Sequence, residues 1–332
     1  MTNPLFPRTG RRWVALAAAA LVGGPTLVAA ATWTPLTNTP PGSVETMLLL
    51  TDGTVIAHSY DSPGNIWRKL TPSATGSYIN GTWSTAAPMG TNRIYFASHV
   101  LPNGNLWVLG GEYSGPNLTA NWTNTGEVYD TLANHWTPIA PHPESQFGDV
   151  PSMLLDKGKI LAGSLFNRTS FLYDINTNTW AATGNKVYND SSDEETYVKL
   201  PDGSVMTYDL FQSIATGGAY AEAYVPKAGI WAARSPSDGT SSGSIPQLSS
   251  PAMGYELGAA LTMRSKDNRG KVFYIGATGH TAVYSVGTNS WAPGPDIIGR
   301  LNGNPALFGS VDAPAAEAPN GHIIFAADAS PT

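Results

Sequence analysis

Apolar residues along this chain come in short, nearly continuous runs separated by turn formers. In "GDVPSMLLDKGKILAGS", Gly148 to Ser164, an acidic residue opens the phrase, and an apolar run, a tight turn and a second apolar run follow. The same order recurs in "ETMLLLTDGTVIAHS" from Glu45, "YFASHVLPNGNLWVLGGE" from Tyr95, "EETYVKLPDGSVMTYD" from Glu194, "ELGAALTMRSKDNRGKVFYIGAT" from Glu256 and "DAPAAEAPNGHIIFAAD" from Asp312. Most copies turn on Asp-Gly or Asn-Gly, which supply the positive φ angles of a tight hairpin. Runs this short and continuous read as strands buried on both faces. No stretch beyond the first 31 residues has helical periodicity.

A second phrase alternates with the first. Trp33, Trp83, Trp136, Trp180, Trp231 and Trp291 recur about every 50 residues. Four of them close "YDTLANHW" (Tyr129 to Trp136), "YDINTNTW" (Tyr173 to Trp180), "YVPKAGIW" (Tyr224 to Trp231) and "YSVGTNSW" (Tyr284 to Trp291). A Tyr, a cluster of turn formers and a Trp describe a hairpin. Two hairpins per repeat make a four-stranded blade, and this period is that of a kelch-type β-propeller. Packing between blades accounts for these aromatics without a ligand.

The phrases "LPNGNLWVLGGE", "VYD…NHW" and "YDINTNTW" resemble kelch repeats. Across residues 32–332 the chain resembles secreted bacterial kelch proteins whose propellers are grouped with galactose oxidase. The resemblance implies an all-β propeller of four-stranded blades; it implies little about activity, because such propellers carry enzymes, carbohydrate binders and protein-binding scaffolds. With strands a to d running outward from the axis, five blades are complete and a sixth lacks c. "TWTPLTN" reads as a d strand lent to the last blade, removing its free edge. The expectation is a six-bladed ring or a truncated seven-bladed one.

Composition narrows the function. The net charge of −6 and the absence of a basic cluster after the leader argue against nucleic acid. There is no cysteine, hence no disulfide, thiol nucleophile or Cys-based metal site. Residues 1–31 carry Arg8, Arg11 and Arg12, an Ala-rich apolar run and a small-residue end, the layout of a signal peptide, with "GRRWVAL" loosely of twin-arginine type. The remaining 32–332 form one domain with no run long enough to span a bilayer. The expected product is a monomer outside the cytoplasm, periplasmic or secreted.

Candidate chemistry lies at the starts of the inner hairpins. Glu45, Asp149, Glu195, Glu256 and Asp312 occupy comparable places before the turn; in the second copy Tyr95 stands there, with Arg93 upstream. Glu112, Tyr113 and His280, along with Arg168, Asp209 and Arg300, are expected on the same face. In "SSDEET" at most one of Glu194 and Glu195 should point to the channel. Each carboxylate could accept main-chain N–H bonds from its own loop, which needs no ligand. Alternatively several converge on a cation or a polyhydroxylated ligand. Ca²⁺ would suit such oxygen ligands, with Glu45, Asp149 and Glu256 as the candidate site.

Two functions remain. One is a non-catalytic binding protein for a carbohydrate or a protein, using loop aromatics such as Trp122. The other is a carbohydrate-active enzyme, either a galactose oxidase-like oxidoreductase or a carboxylate-based hydrolase or epimerase. The oxidase resemblance implies copper and a Tyr–Cys cofactor. The missing Cys and six scattered histidines oppose both.

Overall fold

The computed structural model describes residues 33–253 and 255–329; the predicted leader lies outside them. Five blades follow one another in sequence. Blade 1 contains β1 (Met47–Leu49), β2 (Val55–Ser59), β3 (Ile66–Thr71) and β4 (Thr82–Ala86). Blade 2 contains β5 (Ala97–Val100), β6 (Leu106–Leu109), β7 (Gly126–Asp130) and β8 (His135–Pro138). Blade 3 contains β9 (Ser152–Leu154), β10 (Lys159–Ala162), β11 (Phe171–Asp174) and β12 (Thr179–Ala182). Blade 4 contains β13 (Val198–Lys199), β14 (Val205–Tyr208), β15 (Ala221–Val225) and β16 (Ile230–Ala233). In blade 5, β17 (Ser242–Gly243) adds a parallel strand outside the antiparallel set β18 (Ala260–Thr262), β19 (Lys271–Ile275), β20 (Thr281–Ser285) and β21 (Ser290–Pro293). Apart from β17, neighbours in each blade are sequential, the meander expected of kelch-type blades.

Alternation along the b strands explains the core. In β6, Leu106 and Val108 pack with blade 1 residues Ile56 and Trp67, while Trp107 and Leu109 pack with blade 3 residues Ile160 and Tyr173. In β10, Ile160 and Ala162 face blade 2 and Leu161 faces blade 4 residues Val205 and Trp231. Successive side chains of a strand point to opposite faces, so each blade is one half of two interfaces. The core is thus a series of shared layers.

The Tyr–Trp phrases stitch these layers together. The Trp136 indole N–H donates to the Ala87 carbonyl (2.8 Å), Trp180 to Ala140 (2.9 Å) and Trp291 to Arg234 (2.8 Å). Each acceptor lies just beyond the outer strand of the preceding blade. Two residues before each of these Trp residues is an Asn in the left-handed region: Asn134 (φ 50°), Asn178 (φ 53°) and Asn289 (φ 47°). Asn134 Oδ1 accepts from the Tyr129 hydroxyl (2.7 Å) and the Ala87 N–H (2.8 Å); Asn178 Oδ1 accepts from Tyr173 (2.8 Å) and Ala140 N–H (2.7 Å). Blade 4 has Gly229 (φ 67°) at this place, and its carbonyl accepts the Gly184 N–H at 3.0 Å. Asn and Gly are the residues that tolerate this conformation.

Three features depart from the expectation. A seven-residue helix, α1 (Leu210–Thr216), interrupts the β14–β15 connection of blade 4. A hairpin of β22 (Ile298–Leu301) and β23 (Asn304–Gly309) follows blade 5, turning on Asn302 and Gly303, both at positive φ. The sixth inner hairpin forms as expected from β24 (Ala315–Glu317) and β25 (Ile323–Phe325), but β26 (Asp328–Ala329) pairs with β23 instead of extending it. Among the described residues, 33–36 form no strand and no sheet closes on itself.

Asn178→Ala removes the acceptor of two hydrogen bonds and places at positive φ a residue that tolerates it less well than Asn or Gly; we expect a loss of about 2 kcal/mol in urea denaturation. Asn178→Gly restores the backbone freedom but not the bonds, and its loss should be the smaller of the two.

Candidate functional site

Loops leading into the inner strands bring carboxylates together on one face. Glu112 comes from the β6–β7 loop, Asp149 precedes β9, Asp193 and Glu194 precede β13, Glu256 precedes β18 and Asp312 precedes β24. Each of Asp149, Glu194, Glu256 and Asp312 feels carboxylates from other blades. The backbone is held in the left-handed region at Tyr95 (φ 52°), Glu194 (φ 59°), Tyr255 (φ 63°) and Asp312 (φ 49°), all beside an inner-strand entry. A non-glycine residue there costs on the order of 1 kcal/mol. The repeat therefore maintains an unfavourable local geometry at the place where these side chains are presented.

Burial and mutual repulsion raise the acids. Desolvation, then Glu112 and Asp312, push Asp149 up to about 8. Desolvation, then Asp149 and Asp312, push Glu194 up to about 9. Asp193 rises to about 6, through burial first and Glu112 second. Glu256 and Asp312 are also raised, again by burial first. No Lys or Arg offsets these carboxylates among the leading influences on them. Glu112 acts on Asp149 through its charge and as a hydrogen-bonding neighbour, both raising Asp149. Glu112 also acts on the Tyr113 hydroxyl through its charge and a hydrogen bond, raising it. Tyr113 packs edge-to-face against Tyr95 with ring centroids 5.8 Å apart, and Tyr95 is half exposed.

Among the described residues, no main-chain N–H donates to the side chains of Asp149, Glu194, Glu256 or Asp312. The ligand-free explanation of the repeated acids, loop N–H bonding, is therefore not what these four do.

Several expected site residues lie elsewhere. Glu195 does not reach the acidic face: its side chain is fully buried and ion-pairs with Lys186 Nζ at 2.5 Å. Neither residue is in a strand: Glu194 lies in a turn at positive φ ahead of β13, and Glu195 after it is buried. Asp209 shares that interior site, 3.0 Å from the same Nζ. Arg93 is fully buried, donating to the Gly110 and Thr125 carbonyls and to Glu127. Glu45 Oε2 hydrogen-bonds His58 Nδ1 at 2.7 Å while its charge still acts on Tyr95. His280 is engaged by Asp296 at 2.8 Å. The Arg300 guanidinium donates to its own turn at Gly303. Trp122 is partly exposed, with its ring against Gly148. Glu45, Asp149 and Glu256 do not form a common cation site. Among the described residues the group whose ligand oxygens lie within 4.8 Å of one another is Asp190, Glu195 and Asp209.

The six histidines are dispersed over separate elements and loops. His58 is held between Glu45 and the Gly64 carbonyl, and His99 stacks on Trp107 and bonds Ser152. His142 sits among Phe147, Phe171 and Trp180. His135 and His322 are exposed on separate elements, β8 and the β24–β25 turn.

Comparison with known proteins agrees with the architecture. The Kelch motif family matches residues 93–143, the region of blade 2. Among solved structures the chain is similar to a fungal alcohol oxidase of the AA5 family determined in complex with copper, at 17% identity and a TM-score of 0.53. That similarity covers 75% of this chain and 52% of the oxidase, so the chain spans about half of the oxidase's length. No curated protein sequence matches. The chain carries a kelch motif on a fold similar to the galactose oxidase-like one.

The raised acids tie stability to pH. In the unfolded chain these groups ionise near 4; in the folded chain Asp149 and Glu194 keep their protons up to about 8 and about 9. Their contribution is fully present below the unfolded values and is lost as pH rises through the folded ones. The melting temperature should therefore fall between about pH 5 and about pH 9, and Asp149→Asn with Glu194→Gln should flatten that slope.

Proposed function

We propose that this protein is an exported, non-catalytic carbohydrate-binding propeller whose ligand rests on the acidic face. The observation that carries the reading is the Tyr113–Glu112–Asp149 arrangement beside Tyr95. A protonated carboxyl donates and an ionised one accepts, so the pair can meet both ends of a sugar hydroxyl. An exposed tyrosine beside it offers a flat apolar surface to a sugar ring, with its hydroxyl still available for hydrogen bonding. The signal-like sequence of residues 1–31 supports export, and the described residues contain no helix long and apolar enough to cross a membrane.

Catalysis by this pair is disfavoured on geometry. Glycoside hydrolysis uses two carboxyls about 5 Å or more apart, on either side of the scissile bond. Glu112 instead acts on Asp149 as a near neighbour, through charge and hydrogen bonding, and not as a separated partner. A copper oxidase is disfavoured by the absent Cys and the dispersed histidines.

Glycan-array screening followed by calorimetry tests the proposal. Neutral oligosaccharides should bind, and Tyr113→Ala and Glu112→Gln should each weaken binding about tenfold, or 1.4 kcal/mol. Binding confined to basic peptides, or glycan binding indifferent to both substitutions, would replace this reading with that of a protein-binding scaffold.

A further inference from the structure

Blades 2 and 4 solve the same structural problem with different numbers of charges. In blade 2, Glu127 of β7 is buried and accepts the Gly90 and Thr91 N–H groups at 2.7 and 3.1 Å. Arg93 supplies the balancing charge at 2.9 Å. One cation meets one carboxylate and both its oxygens are used. In blade 4, Glu222 of β15 takes the corresponding place, accepting the Val187 N–H at 2.6 Å, and Lys186 supplies the cation. Here three further acids, Asp190, Glu195 and Asp209, enter the same interior. Four carboxylates surround one ammonium.

That ammonium does not satisfy them. Lys186 Nζ lies 2.5 Å from Glu195, 3.0 Å from Asp209 and 3.9 Å from Glu222, and also donates to the Ser191 carbonyl. The Gln212 N–H reaches Asp190 Oδ2, and the Thr207 hydroxyl reaches Glu195 Oε2. Asp209 Oδ2 and Glu222 Oε1 are buried without a hydrogen-bond partner, and Asp209 Oδ1 has only the ion pair with Lys186. The Asp209 and Glu222 side chains have no exposed surface. Carboxylates that outnumber their cations in a dry interior are costly unless they are neutralised. The repeat does not require the excess, since blade 2 folds around a single pair.

We propose that the interior of blade 4 is a divalent-cation site, with Asp190, Glu195 and Asp209 as ligands, Glu222 at its edge and Lys186 beside it. The ligands are all oxygen, which selects a hard cation over zinc or copper. The enclosed setting favours Ca²⁺ over Mg²⁺, which keeps several of its waters. Asp209 immediately precedes α1 and Asp190 accepts from Gln212 within it, so the ion would also anchor that helix. The alternative occupant is protons: without a metal, burial drives Glu222 up to about 11 and Glu195 well above its ordinary range.

The test uses the full mature chain, unfolded in denaturant with EDTA and refolded with or without Ca²⁺. After gel filtration in metal-free buffer, bound calcium is counted by elemental analysis and the melting temperature recorded. We expect about one ion per chain and a higher melting temperature, since a ligand of the native state alone stabilises it. Asp209→Asn should lose the ion, whereas Asp149→Asn with Glu256→Gln, on the acidic face, should retain it. Should Asp209→Asn fail to fold, Lys186→Met decides. With a metal holding the carboxylates, that variant folds in Ca²⁺ and not in EDTA. Wild-type protein that retains no calcium, an ion lost only from the acidic-face variant, or Lys186→Met behaving identically in both media would each overturn the proposal.

Discussion

The contact on which the structure depends is the one between an indole N–H and the main chain of the preceding blade. A flat sheet with two apolar faces has no preferred neighbour; burial alone would let blades slide or pair in the wrong order. The Trp136, Trp180 and Trp291 bonds remove that freedom, because each finds its acceptor at one residue beyond one particular strand. The turn asparagines add a second bond to the same place in two of these junctions. Hydrophobic burial supplies most of the stability, and these directional bonds set the spacing from one blade to the next. With that spacing set, loops far apart in sequence arrive on a common face.

Much of the architecture was legible in the chain because the repeat is written twice, as Asp-Gly or Asn-Gly hairpins and as Tyr–Trp phrases. What escaped notice lay outside the repeat. The β22–β23 hairpin carried the same Asn-Gly signal at Asn302 and Gly303, but it has no counterpart in the other blades. Helix α1 is too short for a periodicity to declare itself. The pairing of β26 with β23 depends on a long-range contact that no local pattern specifies.

The site was legible in kind but not in membership. Counting back from turn glycines picked Asp149 and Asp312, the matching place before a longer turn picked Glu256, and the loop after "VLGG" picked Glu112, acids that act on one another in the structure. It chose Glu195 where Glu194 faces outward, because a left-handed residue at the strand entry shifts which side chain points where. Lys186 gave little signal, standing alone before the acid-rich "NDSSDEE"; the number of acids in that stretch, more than loop bonding needs, was the available hint. His280 and Arg93 were chosen by position, and each is engaged by a tertiary partner, Asp296 and the buried Glu127.

The tryptophan contacts also have a direction. Each outer-strand indole that forms such a bond reaches back to a segment made earlier in the chain, and none of these bonds waits for a segment still to come. A repeat protein whose units contact only neighbours can grow by addition. For a chain emerging from its N-terminus, every new blade finds its docking point already built. Assembly then proceeds as a ratchet, one layer of core at a time, and the acidic face is completed only when the loop bearing Asp312 arrives.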